Sequence, residues 1–404
     1  MDVFLARQPV YDRQMQVIAY ELLYRPGVQS SAGPIDNPEE ASSQVMVNTF
    51  MEVGIENITG GIPALINVTK DFLTSGSFPV KFRDRLIPEL LEGMEIDETL
   101  VRVATQLAKQ GYKFALDDFV YSPEWQPLVD IADIIKIDVM ALKEDGVREQ
   151  LGYLDGVKAK LLAEKVETHE EFDMYLDMGF DLFQGYFFAK PKLIQEKGVP
   201  ASKHVVMQLL GELARENADV DGVVKLVSQD ARLTYKLLKI VNSAFFGLPR
   251  KVNSIQEAVV ILGFKELKCW ASLLSLASMD DKPSELLITA MVRGKMCQLI
   301  AEKLQMDEPD MFFTAGLFSM LDALMDFHLE DILQQMPFSD DLSRAVLKHD
   351  GQIGVVLHTV VAYEAGDWNE IHLGSLGQED IWDSYLKAIE WAGIASNSMF
   401  KSKG

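Results

Sequence analysis

At 404 residues, the chain is long enough for two or three domains of ordinary size, each with its own buried core. Apolar residues at 48% and charged residues at 25% fit a soluble globular protein and exclude wholesale disorder or a fibrous repeat. Acidic residues outnumber basic ones 61 to 38, a formal charge of −23 with the excess in both halves, which argues against a nucleic acid polymer as partner.

The opening MDVFLARQPVYDR has too short an apolar stretch for a signal peptide, and no run approaches the ~18 apolar residues of a membrane span. The two cysteines, Cys269 and Cys297, lie in apolar helical contexts, which argues against a disulfide scaffold or a Cys-based zinc site. A cytoplasmic location is expected. Up to about residue 190, apolar runs of strand length follow one another: QVIAYELLYR, PALINVT, RLIPELLE, YKFALDDF, IIKID, KLLAEKVE and LFQGYFF. Amphipathic stretches separate several of them, such as ASSQVMVNTFMEVG and DETLVRVATQLAKQG, the second ending at Gly111 as a helix C-terminus does. Strand then helix, repeated, predicts parallel strands with crossover connections. Seven strands without a Gly-rich phosphate turn after the first predict an α/β barrel of the TIM type, with an open doubly wound sheet as the alternative.

Polar residues interrupt or end these runs in a regular way. Glu21 breaks VIAYELL, Asn67 follows ALI, Glu89 lies in LIPELLE, Asp117 and Asp118 close KFAL, Lys136 follows DII, Glu164 follows LLA, and Gln184 follows LF. A single acid at a strand end is usually just solvated; recurrence at seven successive strands points to the C-terminal mouth of a barrel, where active sites are built. Glu21, Asn67, Glu89, Asp117 and Asp118 are oxygen donors. Crowded carboxylates stay ionised only beside cations, and oxygen ligation suits Mg²⁺ or Mn²⁺. Two such ions would clamp a phosphodiester and help deprotonate a water.

The run Glu21-Leu22-Leu23-Tyr24-Arg25 resembles the signature of EAL domains, bacterial phosphodiesterases that linearise cyclic di-GMP, with Leu22 in place of the central Ala. Ile66-Asn67-Val68, Glu89-Leu90-Leu91-Glu92, Ala115-Leu116-Asp117-Asp118-Phe119, Ile135-Lys136-Ile137-Asp138, Ala163-Glu164-Lys165-Val166-Glu167 and Gln184-Gly185-Tyr186 continue the match in order over residues 1 to 190. The resemblance implies a TIM-like barrel and a metal pair held by Glu21, Asn67, Glu89, Asp117 and Asp118. It implies catalytic roles for Lys136 and Glu164 alongside Glu21, and substrate contacts for Arg25 and Gln184. Two departures stand out. Phe119-Val120-Tyr121-Ser122-Pro123-Glu124-Trp125 replaces a Gly-Thr-Gly-Tyr-Ser type loop that couples metal binding to dimerisation in the family, and Lys165 replaces a glycine. Catalysis is therefore one expectation, and a catalytically inactive scaffold or cyclic di-GMP sensor acting through protein contacts is the other, with a homodimer among the expected partners under either.

PKLIQEKGVPAS, with Gly198 and Pro200, reads as a junction, dividing the chain into a barrel domain at 1–197 and a helical domain at 198–404. From residue 200 helical periodicity takes over and the half reads as all-α. Val227 to Asp230, Leu237 to Gly247, Ser254-Ile255 and Ile261 to Gly263 resemble the HDOD domain, a helical relative of HD phosphohydrolases that lacks their metal site. Histidine is absent from Leu317-Phe318-Ser319-Met320-Leu321-Asp322, where the HD pair would fall. His349-Asp350 is read as a helix end. Asn242-Ser243 is read as a helix junction built on side-chain to backbone bonds, and Met320, Met325 and Met336 as core. This half is expected to regulate the barrel or recruit protein partners.

Overall fold

The computed structural model describes residues 3–26, 54–75, 82–191, 201–215, 219–279, 282–336, 338–371 and 376–400. The expected helix over 41–54 lies almost wholly outside them, as do the junction residues Gly198 and Pro200 and the side chain of Arg25. The chain divides into two compact units, residues 1–188 with 364–368, and 189–363 with 369–404.

The first unit is a closed barrel of eight strands. These are β1 (Val3–Asp12), β2 (Val17–Pro26), β3 (Ala64–Val68), β4 (Leu86–Leu91), β5 (Ala115–Asp117), β6 (Ile134–Asp138), β7 (Lys160–Glu164) and β8 (Leu182–Phe183). Strands β2 to β8 run parallel, as the alternating pattern predicts. β1 was not among the expected strands, and it runs antiparallel to both β2 and β8. Pro9 sits inside it, which reads against a strand. The fold accommodates Pro9 because β8 pairs only with Tyr11 and Asp12, leaving that edge of β1 without a ladder further along.

Helices joining the strands are capped by their own sequences. Asp97 accepts the backbone N–H of Leu100 at 2.8 Å to start Glu98–Lys109. Thr168 and Glu171 form a reciprocal capping box at the start of His169–Asp177, satisfying donors that a helix N-terminus otherwise leaves open.

Val10, Ala19, Leu65, Ile87, Ala115, Ile134, Leu162 and Leu182, one from each strand, form a single buried cluster. Strand side chains alternate between faces with a period of two. Two residues further along each parallel strand stand Glu21, Asn67, Glu89, Asp117, Lys136, Glu164 and Gln184; on the antiparallel β1 the equivalent step runs backwards, to Gln8. The barrel therefore carries an apolar ring and, toward the C-terminal ends of the parallel strands, a polar ring.

The described part of the second unit is helical, as expected. Its centre is Ser284–Lys303, packed against Pro309–Phe318 and Gln378–Phe400. Gly294 and Gly316 face one another there, and a Cβ on Gly316 would lie 2.7 Å from the Gly294 Cα. The absence of both side chains lets the two backbones meet. Asn242 ends the helix Ala231–Val241 and clamps the following turn: its amide donates to the carbonyls of Leu238 and Val252, both at 2.8 Å, and accepts the Val252 N–H at 2.7 Å. His349 is the left-handed C-cap of Asp340–Lys348, and Met320, Met325 and Met336 are buried. All three agree with the sequence reading.

Candidate functional site

The polar ring closes around Lys136. Its Nζ lies 2.6 Å from Glu89 Oε1, 2.6 Å from Asp117 Oδ1, 2.9 Å from Glu164 Oε1 and 3.3 Å from Glu21 Oε2. Lys136 and Glu89 have no exposed surface, and Glu21, Asp117 and Glu164 are also buried. The approach of Lys136 to Glu89 is an ion pair by distance, without the angles of a hydrogen bond.

One ammonium faces four carboxyl groups, so the ring cannot be fully ionised without further positive charge. Burial pushes the Glu89 carboxyl well above its usual range, against the opposing charge of Lys136. Burial likewise pushes Glu164 up to about 8. Burial alone would lower Lys136, but the surrounding carboxylates, Glu21 and Glu89 foremost, hold it well above its ordinary value. The lysine is held in its charged form, and burial favours the protonated form of Glu89 and Glu164.

Gln184 fixes the opposite side of the ring. Its amide donates to Glu21 Oε2 at 2.5 Å and to Gln8 Oε1 at 3.2 Å. Gly185, at φ 147°, makes this position possible: a Cβ there would sit 2.1 Å from the Val166 carbonyl oxygen. Gln8 was missed in the sequence reading together with its strand. The signal was present, because Gln8 stands two residues from the apolar Val10 as its counterparts do from theirs.

Glu21, Glu89 and Asp117 bring carboxylate oxygens within 4.8 Å of one another. Asn67 Oδ1, Glu89 Oε2, Glu164 Oε2 and Gln184 Oε1 are buried there without a hydrogen-bond partner. Unsatisfied buried acceptors are costly, and this set is all oxygen. A hard divalent cation such as Mg²⁺ or Mn²⁺ fits it; an ion that prefers nitrogen or sulfur does not.

Asp118 is not part of this convergence. It follows the end of β5 with φ 46° and is exposed, so it diverges from Asp117. It faces Lys165, 3.9 Å away, and burial raises its carboxyl, with Asp117 adding to the effect. Lys165 itself has φ 59°, the region that favours glycine, and its ammonium reaches Asp138 Oδ2 at 2.5 Å. Asp138 uses its other oxygen to cap Val139–Tyr153. The segment after Asp118 is anchored: Phe119 is buried edge-on against Trp125 at 5.8 Å, and the Tyr121 N–H donates to Gln150 Oε1 at 2.7 Å.

Comparison with known proteins agrees with this architecture. An EAL domain is matched over residues 43–191 and an HDOD domain over residues 199–337. The uncharacterised protein YuxH of Bacillus subtilis is 34% identical over 403 residues, covering 97% of this chain and 98% of its own. Cyclic di-GMP phosphodiesterase CdgJ of Vibrio cholerae is 32% identical over 399 residues, covering 96% of this chain and 92% of its own. Among solved structures, BlrP1 of Klebsiella pneumoniae, a complex with calcium and cyclic di-GMP, is similar at 21% identity and a TM-score of 0.39, over 46% of this chain and 55% of that one. With end-to-end relatives above 30% identity and both domain matches in the same order, the chain belongs to the EAL family, in the group whose EAL domain is followed by an HDOD domain.

Proposed function

We propose that the barrel unit hydrolyses cyclic di-GMP to the linear dinucleotide, using Mg²⁺ or Mn²⁺ held by Glu21, Asn67, Glu89 and Asp117; Asp118, which stands apart from that cluster, is assigned to the second cation of the pair from beyond the end of β5. The observation that carries this reading is the meeting of Glu21, Glu89 and Asp117 within 4.8 Å, beside buried oxygens of Asn67, Glu89 and Glu164 that lack partners. The end-to-end similarity to CdgJ supports cyclic di-GMP as the substrate.

When bound, divalent cations would polarise the phosphodiester and acidify a bound water. The other tasks fall to the chain. Gln184 and Gln8 hold Glu21 in one orientation. Lys136, held in its charged form, draws one oxygen each of Glu89, Asp117 and Glu164 to a single point. Glu164, raised to about 8 by burial, is assigned as general base in the ionised form that a bound cation would favour. Water oxygen bonds to phosphorus, one bond from phosphorus to a ribose 3′ oxygen breaks, Glu164 takes the water's proton, and the leaving oxygen takes one from solvent water. Arg25, four residues beyond Glu21 on β2, is assigned to a substrate phosphate, and the helical unit to regulation or partner recruitment.

Product separation after incubation with cyclic di-GMP tests this. Linear dinucleotide is expected with Mg²⁺ or Mn²⁺ and not with Ca²⁺, whose looser geometry fails to align water and phosphate. Equal rates in Ca²⁺ and Mg²⁺ would overturn the positioning role of the metal. A second reading, nucleotide binding without turnover, is favoured by the anchored Phe119–Trp125 segment; cyclic di-GMP bound but never consumed would select it.

A further inference from the structure

Within the helical unit, a cavity of about 200 Å³ opens between Phe264–Leu276, Ser284–Lys303, Pro309–Phe318 and Gln378–Phe400. Four cations line it, in a chain of net charge −23. Two are compensated: Lys265 pairs with Asp310 at 2.7 Å and Arg215 with Glu212 at 2.8 Å. Lys268 and Lys295 are not. Both are half-buried, and among the described residues neither has a carboxylate within ion-pair distance. Lys268 donates only to the Arg215 carbonyl, at 3.3 Å, and Lys295 only to Gln298 Oε1, at 2.8 Å. The acids on the same wall have other partners or face solvent: Asp310, the one carboxylate whose charge reaches Lys268, pairs with Lys265 and accepts from Gln298 at 3.1 Å, Glu266 accepts the Trp270 indole N–H at 2.8 Å, and Glu308 is exposed.

The remaining wall is mostly apolar and aromatic, with Ser272, Gln298 and Thr314 as its polar members. Trp391 lines the cavity with its ring 5.5 Å from Lys295 Nζ and edge-on to Phe313 at 5.8 Å. We propose that this cavity binds a small organic anion, its oxyanion group between Lys268 and Lys295 and its flat apolar body against Trp391. Partly desolvated cations without counter-charge are unfavourable by themselves, and burial does hold Lys268 below its ordinary range. An oxyanion supplies the missing partner through charge-assisted hydrogen bonds. The volume sets the size. A cavity of ~150 Å³ accepts benzene and drug-sized ligands fill ~300–1,000 Å³, so this one takes a single ring bearing one phosphate or carboxylate. A cyclic dinucleotide is too large for it. The site is thus distinct in ligand from the barrel mouth and does not rest on the reading proposed for that unit.

Calorimetric titration of the full chain with phenyl phosphate, benzoate and phenol tests this. One of the two anions is expected to bind with unit stoichiometry, and phenol at least about ten-fold more weakly, since a charge-assisted bond is worth that factor. Which anion wins separates phosphate esters from carboxylates. K268M and K295M should each weaken the anion about ten-fold or more, whereas K268R keeps it. The thermal midpoint of ligand-free K268M should hold or rise, which a merely structural lysine would not allow. Should either Met variant fail to fold, the salt dependence of wild-type binding and the loss of an indole emission change in W391F decide instead. Absence of binding by both anions at millimolar concentration, or equal binding of phenol, would overturn the proposal.

Discussion

Lys136 and Glu89 meet at 2.6 Å with neither side chain exposed. Three further carboxyl groups share the same ammonium, so this one lysine holds the ring together electrostatically. Removing one partner from a buried charge cluster costs ~3–5 kcal/mol. Lys136→Met should therefore lower the stability of the metal-free protein by about that amount in urea unfolding, with much of the loss recovered on adding Mn²⁺.

The ring also sets a pH dependence whose sign is fixed. Glu164 is pushed up to about 8 from 4.5, and Glu89 is raised well above its usual range. Between those values the folded protein binds protons that the unfolded chain has already released, so metal-free stability falls as pH rises from about 4.5 to 8. A divalent cation takes the place of those protons. Calorimetry of Mn²⁺ binding in buffers of different ionisation heat should show proton release, with affinity rising up to about pH 8.

Gly185 allows the chain to pass the Val166 carbonyl, which a Cβ would approach to 2.1 Å. Gly185→Ala should destabilise the protein by ~1–3 kcal/mol, in the range of overpacked sites. It should also lower turnover, because Gln184 next to it orients Glu21. Thermal unfolding and product formation measure the two effects separately.

Lys165 offers a test of strain against an exposed ion pair. Its left-handed φ of 59° costs a residue with a side chain ~1–2 kcal/mol, while a half-exposed pair such as Lys165 with Asp138 returns ~0–1 kcal/mol. Lys165→Gly removes both terms and should leave the thermal midpoint unchanged or higher. Lys165→Ala keeps the strain and loses the pair, so its midpoint should fall below that of the glycine variant.

The polar ring was legible in sequence because each member stands two residues past an apolar one, and a strand returns to the same face with that period. Asp117 and Asp118, read together in the sequence, part in the structure because β5 ends at Asp117 and Asp118 turns with φ 46°. Asp118 therefore stands outside the ring, beside Lys165. β1 stayed hidden because Arg7, Gln8 and Pro9 interrupt its apolar run, and the closing antiparallel strand leaves no crossover signature. The cavity around Lys268 and Lys295 could not be read at all. Its residues come from segments as far apart as Leu213 and Trp391, and only the packed helices bring their charges together.

The most direct test of the central claim is formation of linear dinucleotide from cyclic di-GMP by the purified, Mn²⁺-loaded chain, run beside Glu21→Ala. Turnover by the wild type and none above background by Glu21→Ala is the predicted result, since Glu21 is one of three carboxylates that meet within 4.8 Å and loss of one weakens the stabilisation of charge in the transition state. Equal product from both, or none from fully loaded wild type, would contradict it.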